Sequence, residues 1–142
     1  MPDPRELDLD LAAVPESVDA AQEALAALWD QVPDLESGVQ LRFELALVEI
    51  LANIVEHAYE ADTEPHVRRL AMRVTVSDEA LVGELSDNGQ PASLDLSDVS
   101  LPDDLAESGR GLAMASSALD RLDYSRDDGR NRWHLECRRR TT

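Results

Sequence analysis

The stretch from Leu47 to Glu60, LVEILANIVEHAYE, constrains this chain more than any other. Its apolar residues recur at helical spacing around most of the circumference, the pattern of a helix that must be covered. The full helix is predicted from about Val39 to Tyr59, and a helix that long and that apolar needs a second layer to lie against. Five polar residues interrupt it: Glu49, Asn53, Glu56, His57 and Glu60. At about 100° per residue they fall within an arc of roughly 100°. That stripe reads either as the wet face of an amphipathic helix or as a site built on a buried one.

The other segments supply the second layer. Leu7, Leu9 and Leu11 alternate with Glu6, Asp8 and Asp10, as in a half-buried strand. Pro15 opens a helix that carries Val18, Ala21, Leu25 and Leu28 on one face, and Pro33 and Gly38 mark the break after it. VRRLAMRVTVS and ALVGELS form a hairpin around Asp78-Glu79; DYSRDDGRNRWHLECRR forms another around Asp128-Gly129. GRGLAMASSALDRL is a third helix, entered through glycines. With 142 residues, 43% of them hydrophobic, the chain suits one compact domain over residues 1–142. Helices bunched against neighbouring antiparallel strands predict an α+β fold: a two-layer sandwich, its sheet mixed but mostly antiparallel and covered on one face by helices.

Charge and composition exclude several classes of function. A net charge of −17 repels phosphate backbones, so no direct nucleic-acid binding is expected, and a basic protein partner is favoured. No apolar run reaches the roughly 18 residues of a membrane span, and the opening MPDPRELDLD lacks the apolar core of a signal peptide. A cytoplasmic protein with no membrane partner is expected. The single cysteine, Cys137, permits no internal disulfide and no thiolate metal cage, and reads as a small apolar residue of a strand. His66 and His134 fit no metal-ligand spacing, Trp133 is expected to pack against a helix, and Arg138 to Arg140 read as a solvated basic tail. All 13 basic residues are arginine. A P-loop and a eukaryotic-type protein kinase each require a lysine, so nucleotide chemistry here needs another architecture.

Three short motifs can carry chemistry. Glu49 and Asn53, four apart, lie side by side on the helix, and a carboxylate beside an amide carbonyl offers hard oxygen atoms for Mg²⁺ or for positioning a nucleophile. SDNGQP, Ser86 to Pro91, follows a strand directly; Asp87 can accept from an exocyclic amine while Gly89 permits a sharp turn. SGRGL, Ser108 to Leu112, opens a helix, where Gly109 and Gly111 allow close backbone approach to an anion and Arg110 adds positive charge. Singly, each also has a plain reading: a solvated face, a turn, a glycine-rich helix entry.

In order and spacing, however, the three resemble the GHKL ATPase superfamily, whose Bergerat fold occurs in gyrase, Hsp90 and the ATP domains of histidine kinases. ELALVEILANIVEHAY looks like its N box, SDNGQP its first glycine box, and SGRGLAMASSALDRLDY its second. The short form, with EHAY after the N box and a two-strand tail, is most similar to bacterial anti-sigma-factor serine/threonine kinases. The likeness runs from about Leu7 to Arg138. It implies ATP and Mg²⁺ as cofactors, with Asn53 holding the metal and Glu49 as the catalytic base. It implies adenine contact by Asp87 with room from Gly89, and phosphate contact by Gly109, Arg110, Gly111 and Leu112. His57 matches a histidine often found in the EHAY position. Residues 92–107 stand where the family carries its ATP lid, and here the lid is acidic, without Arg or Lys. The implied function is an anti-sigma factor that also phosphorylates a STAS-domain antagonist and sequesters a sigma factor, with homodimers common among such relatives. The alternative is a non-catalytic, ATP-gated adaptor for a sigma factor or STAS protein.

Overall fold

A computed structural model of the chain describes residues 5–60, 69–88, 115 and 117–139, without the side chains of residues 57–60. Seven elements are delimited within these residues, beside the helical residues 115, 117 and 118: β1 (Arg5–Ala12), α1 (Glu16–Asp30), α2 (Ser37–Glu60), β2 (Arg69–Val76), β3 (Ala80–Asp87), β4 (Arg121–Asp127) and β5 (Arg130–Arg138). The strands form one sheet in the order β1-β2-β3-β5-β4. All four pairings are antiparallel, so the expected sheet is present and its described part contains no parallel pair.

Period-two alternation decides which face of the sheet is dry. In register, Leu9, Met72, Leu85, Trp133 and Tyr124 form one row across the sheet, and Leu7, Val74, Gly83, Leu135 and Leu122 the next. These rows point into the core, where α1 and α2 cover them. Between them run rows of the opposite character, such as Asp8, Arg73, Glu84, His134 and Asp123, which face away from the helices. Arg73 lies 3.2 Å from Asp8 and 3.5 Å from Glu6 on that open face. A one-residue slip would exchange the two faces, so the pattern also pins the register.

Gly83 is the point of closest approach between the layers. A methyl group there would come within 3.0 Å of Cζ of Phe43, which α2 lays over the strand. Trp29 of α1 meets the same ring edge-on at 6.3 Å and donates from Nε1 to Oε1 of Glu44 at 2.6 Å. At the other end of the hairpin pair, Asp128 and Gly129 both have positive φ, 52° and 73°, as the tight turn expected there requires. The β2–β3 turn takes three residues, Ser77 to Glu79, with the Ser77 Oγ accepting from the backbone N–H groups of Glu79 and Ala80. Trp133 is buried in the core, and its ring partner is Tyr124 of the neighbouring strand at 4.6 Å, where a helix was expected; Cys137 is fully buried, where loss of water pushes its thiol pKa up and keeps it unreactive.

Within the basic tail, Arg138 is exposed as expected, whereas Arg139 departs from its sequence reading. Arg139 is not solvated: its side chain is 7% exposed. Its Nε donates to Oε1 of Glu36 at 3.0 Å, one terminal nitrogen donates to the Ser77 carbonyl at 2.8 Å, and the other to Oδ2 of Asp34 at 3.1 Å. The fork therefore ties the α1–α2 connection to the β2–β3 turn, which a three-arginine run in isolation does not reveal. A hydrogen bond from its own backbone N–H and the Arg139 guanidinium together hold the Glu36 carboxyl below its usual range, against the opposing pull of burial. Because the folded value lies below the unfolded one, the stability Glu36 contributes is complete above about pH 4.5 and is lost as pH falls through the folded value. Arg139→Ala is expected to cost about 2–3 kcal/mol in urea denaturation at pH 7, less than a fully buried pair because Asp34 is largely exposed. The gap between variant and wild type should narrow below about pH 4.5. A gap constant from pH 7 to pH 3 would show that the carboxylate pairing is not its source.

Candidate functional site

The core is apolar with four exceptions among the described residues: Ser17, Asn53, Asp87 and Asn131 are buried polar groups. The Oγ of Ser17 caps the turn from β1 into α1 by donating to the Ala12 carbonyl at 2.6 Å. The other three need a different account, because a buried amide or carboxylate is costly unless it is bonded.

α2 and β3 each carry one of them toward the same end of the sheet. The start of α2 is fixed by the Arg139 fork at the Ser77 turn, and Phe43 then sits over Gly83, midway along β3. The helix therefore advances along β3 in the strand's own direction. From Phe43 to Asn53 it travels about 15 Å at about 1.5 Å per residue. From Gly83 to Asp87 the strand travels about 13 Å at about 3.3 Å per residue. Asn53 and Asp87, each 5% exposed, thus lie toward the same end of the two-layer fold, the end from which the SDNGQP motif departs.

Asn53 donates from Nδ2 to the Glu49 carbonyl one turn back, at 3.2 Å. With the amide nitrogen so tied, the carbonyl oxygen is the atom turned away from the helix backbone. Glu49 is half-buried and Glu56 exposed, so the polar stripe is not a uniformly wet face: it runs from interior to surface. His57 belongs to α2, but its side chain lies outside the described residues, as do Gly89, Gly109, Arg110, Gly111, Leu112 and the loop 92–107. Ala115, Ser117 and Ala118 are helical, and Ala115 and Leu119 are buried in the core.

Asp87 is held by a residue that sequence reasoning missed. Its Oδ1 accepts from Nδ2 of Asn131, its register partner on β5, at 3.0 Å. The Asn131 carbonyl oxygen in turn accepts from the Tyr124 hydroxyl and from Nη1 of Arg126, the latter at 2.9 Å. A chain of hydrogen bonds therefore runs from the edge strand β4 to the Asp87 carboxylate and fixes its rotamer. The signal was present: Asn131, Trp133, Leu135 and Cys137 are the inward set of β5, and an amide in an inward register must be a bonded, buried amide.

Among the described residues no cluster of three or more His, Cys, Asp or Glu could cage a metal. Mg²⁺ takes one or two protein oxygens and completes its shell with water and phosphate, and the Asn53 carbonyl oxygen is a donor of the type it accepts. A depression of about 470 Å³ lies on the opposite, open face of the sheet, lined by Arg73, Glu84, Ser86 and Arg132 among others. It is a groove over the polar cross-strand rows and shares no residue with Asn53 or Asp87.

Residues 11–135 match the histidine kinase-like ATPase domain. Among solved structures, the RsbU and RsbW domains of Rv1364c from Mycobacterium tuberculosis are similar, with a TM-score of 0.66 and 18% identity over 95% of this chain. This chain covers 32% of that one, about a third of its length, and at that identity the likeness is one of fold. No curated protein sequence matches.

Proposed function

Since this chain belongs to the histidine kinase-like ATPase domain family, we propose that it is an ATP-binding serine/threonine protein kinase of the anti-sigma type. It phosphorylates a STAS-domain antagonist and, in its other state, sequesters a sigma factor. The observation that carries the reading is the burial of Asn53 and Asp87, one from each of two of the motifs, in a core with only four buried polar side chains among the described residues. The likeness to a fold whose description includes an RsbW domain supports the partner class. Among the described residues no helix is long and apolar enough to cross a membrane.

Each residue then has a task. Asp87, its rotamer fixed through Asn131, accepts the adenine amino group; burial excludes the water that would compete for the carboxylate. The Asn53 carbonyl oxygen would hold Mg²⁺, which when bound would supply positive charge to offset that of the phosphates. Glu49 accepts the proton of the attacking serine hydroxyl as its oxygen bonds to the γ-phosphorus and ADP departs. By the family resemblance, phosphate contact is assigned to Gly109, Arg110, Gly111 and Leu112, room for adenine to Gly89, and a nucleotide contact to His57.

Incubating the protein with labelled ATP, Mg²⁺ and a purified STAS-domain protein tests the assignment: label is expected on a serine of the STAS protein. The acidic loop 92–107 favours a second reading, an ATP-gated adaptor without transfer; ATP-dependent complex formation with no label would select it. Asn53→Ala is expected to weaken Mg-ATP binding by about 10- to 100-fold, the loss of one hydrogen-bonding or ligand group at a charged centre. Calorimetry with and without Mg²⁺ checks this, and equal affinity of variant and wild type would remove the metal role.

A further inference from the structure

Leu41 and Leu45 are the large hydrophobic residues left exposed among those described, each 59% exposed. Single exposed leucines are ordinary. These two are four residues apart on α2, and the same spacing continues to Glu49 and then to Asn53. Each step advances about 6 Å and turns about 40° around the helix. The row therefore winds from the surface inward: both leucines are exposed, Glu49 is half-buried and Asn53 is buried. Helical side chains lean toward the N-terminus, so the Glu49 carboxylate leans over the turn that carries Leu45. Half-buried Val48 and Ala52 flank the row with short apolar side chains, which extend the apolar surface without standing above it.

We propose that Leu41 and Leu45 form the docking step for the protein that delivers its hydroxyl to Glu49. The partner is a folded substrate that presents an apolar side chain roughly 6–12 Å from its acceptor serine or threonine, the reach of one to two helical turns. The inference deepens the kinase reading and rests on it for the role of Glu49. A macromolecule that reaches Glu49 along this row crosses Leu45, the exposed neighbour one turn before it, since Asn53 one turn beyond is buried. Two leucines fall far short of the roughly 800 Å² per partner that a stable dimer buries, which suits a substrate that must leave after each turnover. The net charge of −17 adds long-range attraction for a substrate whose rim is basic.

The test uses the double variant Leu41→Ala/Leu45→Ala, which keeps good helix formers at exposed positions and should fold as the wild type does. The probe is a purified STAS-domain protein with its acceptor serine, and binding is measured in the presence of a non-hydrolysable ATP analogue. Loss of two apolar anchors should raise its Kd about tenfold or more. Its KM in the transfer assay should rise by the same factor. The saturated kcat, the affinity for ATP and the hydrolysis of ATP without acceptor should be unchanged. An unchanged Kd and KM overturns the docking surface, as does a wild type that fails to bind the STAS protein. A variant that instead loses self-association in sedimentation overturns it in favour of a second copy of this chain. Binding without label transfer, weakened in the variant, keeps the surface and removes the kinase reading, so the two failures are distinguishable.

Discussion

Glu49→Gln is expected to slow phosphoryl transfer about 10²- to 10⁴-fold, the usual contribution of a positioned general base. Glutamine keeps the length and the hydrogen-bonding shape of the side chain but cannot take a proton. The affinity for ATP should be unchanged, because the substitution leaves the Asn53 amide and the backbone carbonyl it bonds in place. That split separates a catalytic role from a structural one. A base acting in the transition state lowers kcat alone, whereas a residue that merely supports α2 would also lower nucleotide binding and thermal stability. Single-turnover transfer and calorimetry on the same preparation decide it. Equal transfer rates for variant and wild type would remove Glu49 from the mechanism and leave positioning and electrostatics to carry the reaction.

The largest effect on stability is expected at Phe43. Its side chain is fully buried, with its ring over Gly83 and packed edge-to-face with Trp29. Phe43→Ala removes that contact from three elements at once, and the glycine beneath offers no side chain to fill the space. A loss of about 3–5 kcal/mol is expected, measured from urea denaturation with the slope held common to both proteins. The consequence reaches the site, since Phe43 fixes where α2 stands along β3 and hence where Asn53 stands relative to Asp87. Nucleotide affinity of the folded variant should therefore fall as well. A loss under about 1 kcal/mol would show that neighbouring side chains collapse into the space.

Several of these features could be read from the chain directly. The alternation of Leu7, Leu9 and Leu11, and of Asn131, Trp133, Leu135 and Cys137, determines which faces of those strands are dry. Asp128-Gly129 determines a turn that needs positive φ twice. The spacing of Glu49 and Asn53 places them on one side of a helix, and the motif order identifies the family. Local geometry suffices for the dry faces, the turn and the helical side, because periodicity and turn chemistry act over a few residues; the family follows from the resemblance of the motifs taken in order.

What the sequence did not determine was which polar groups of α2 are interior and what any of the buried polar groups touch. The stripe from Glu49 to Glu60 has one helical arc, yet Asn53 is buried and Glu56 is exposed; only the packing of α2 on the sheet separates them. Asn131 and Tyr124 became part of the candidate site through cross-strand register. Arg139 left the expected solvent for Glu36 and Asp34, more than a hundred residues away in the chain. Burial and long-range pairing are properties of surfaces brought together, and hydrogen-bond partners so far apart have no pattern along the chain. The sequence set the period of each element; the meeting of the layers decided which of its polar residues had to be satisfied inside.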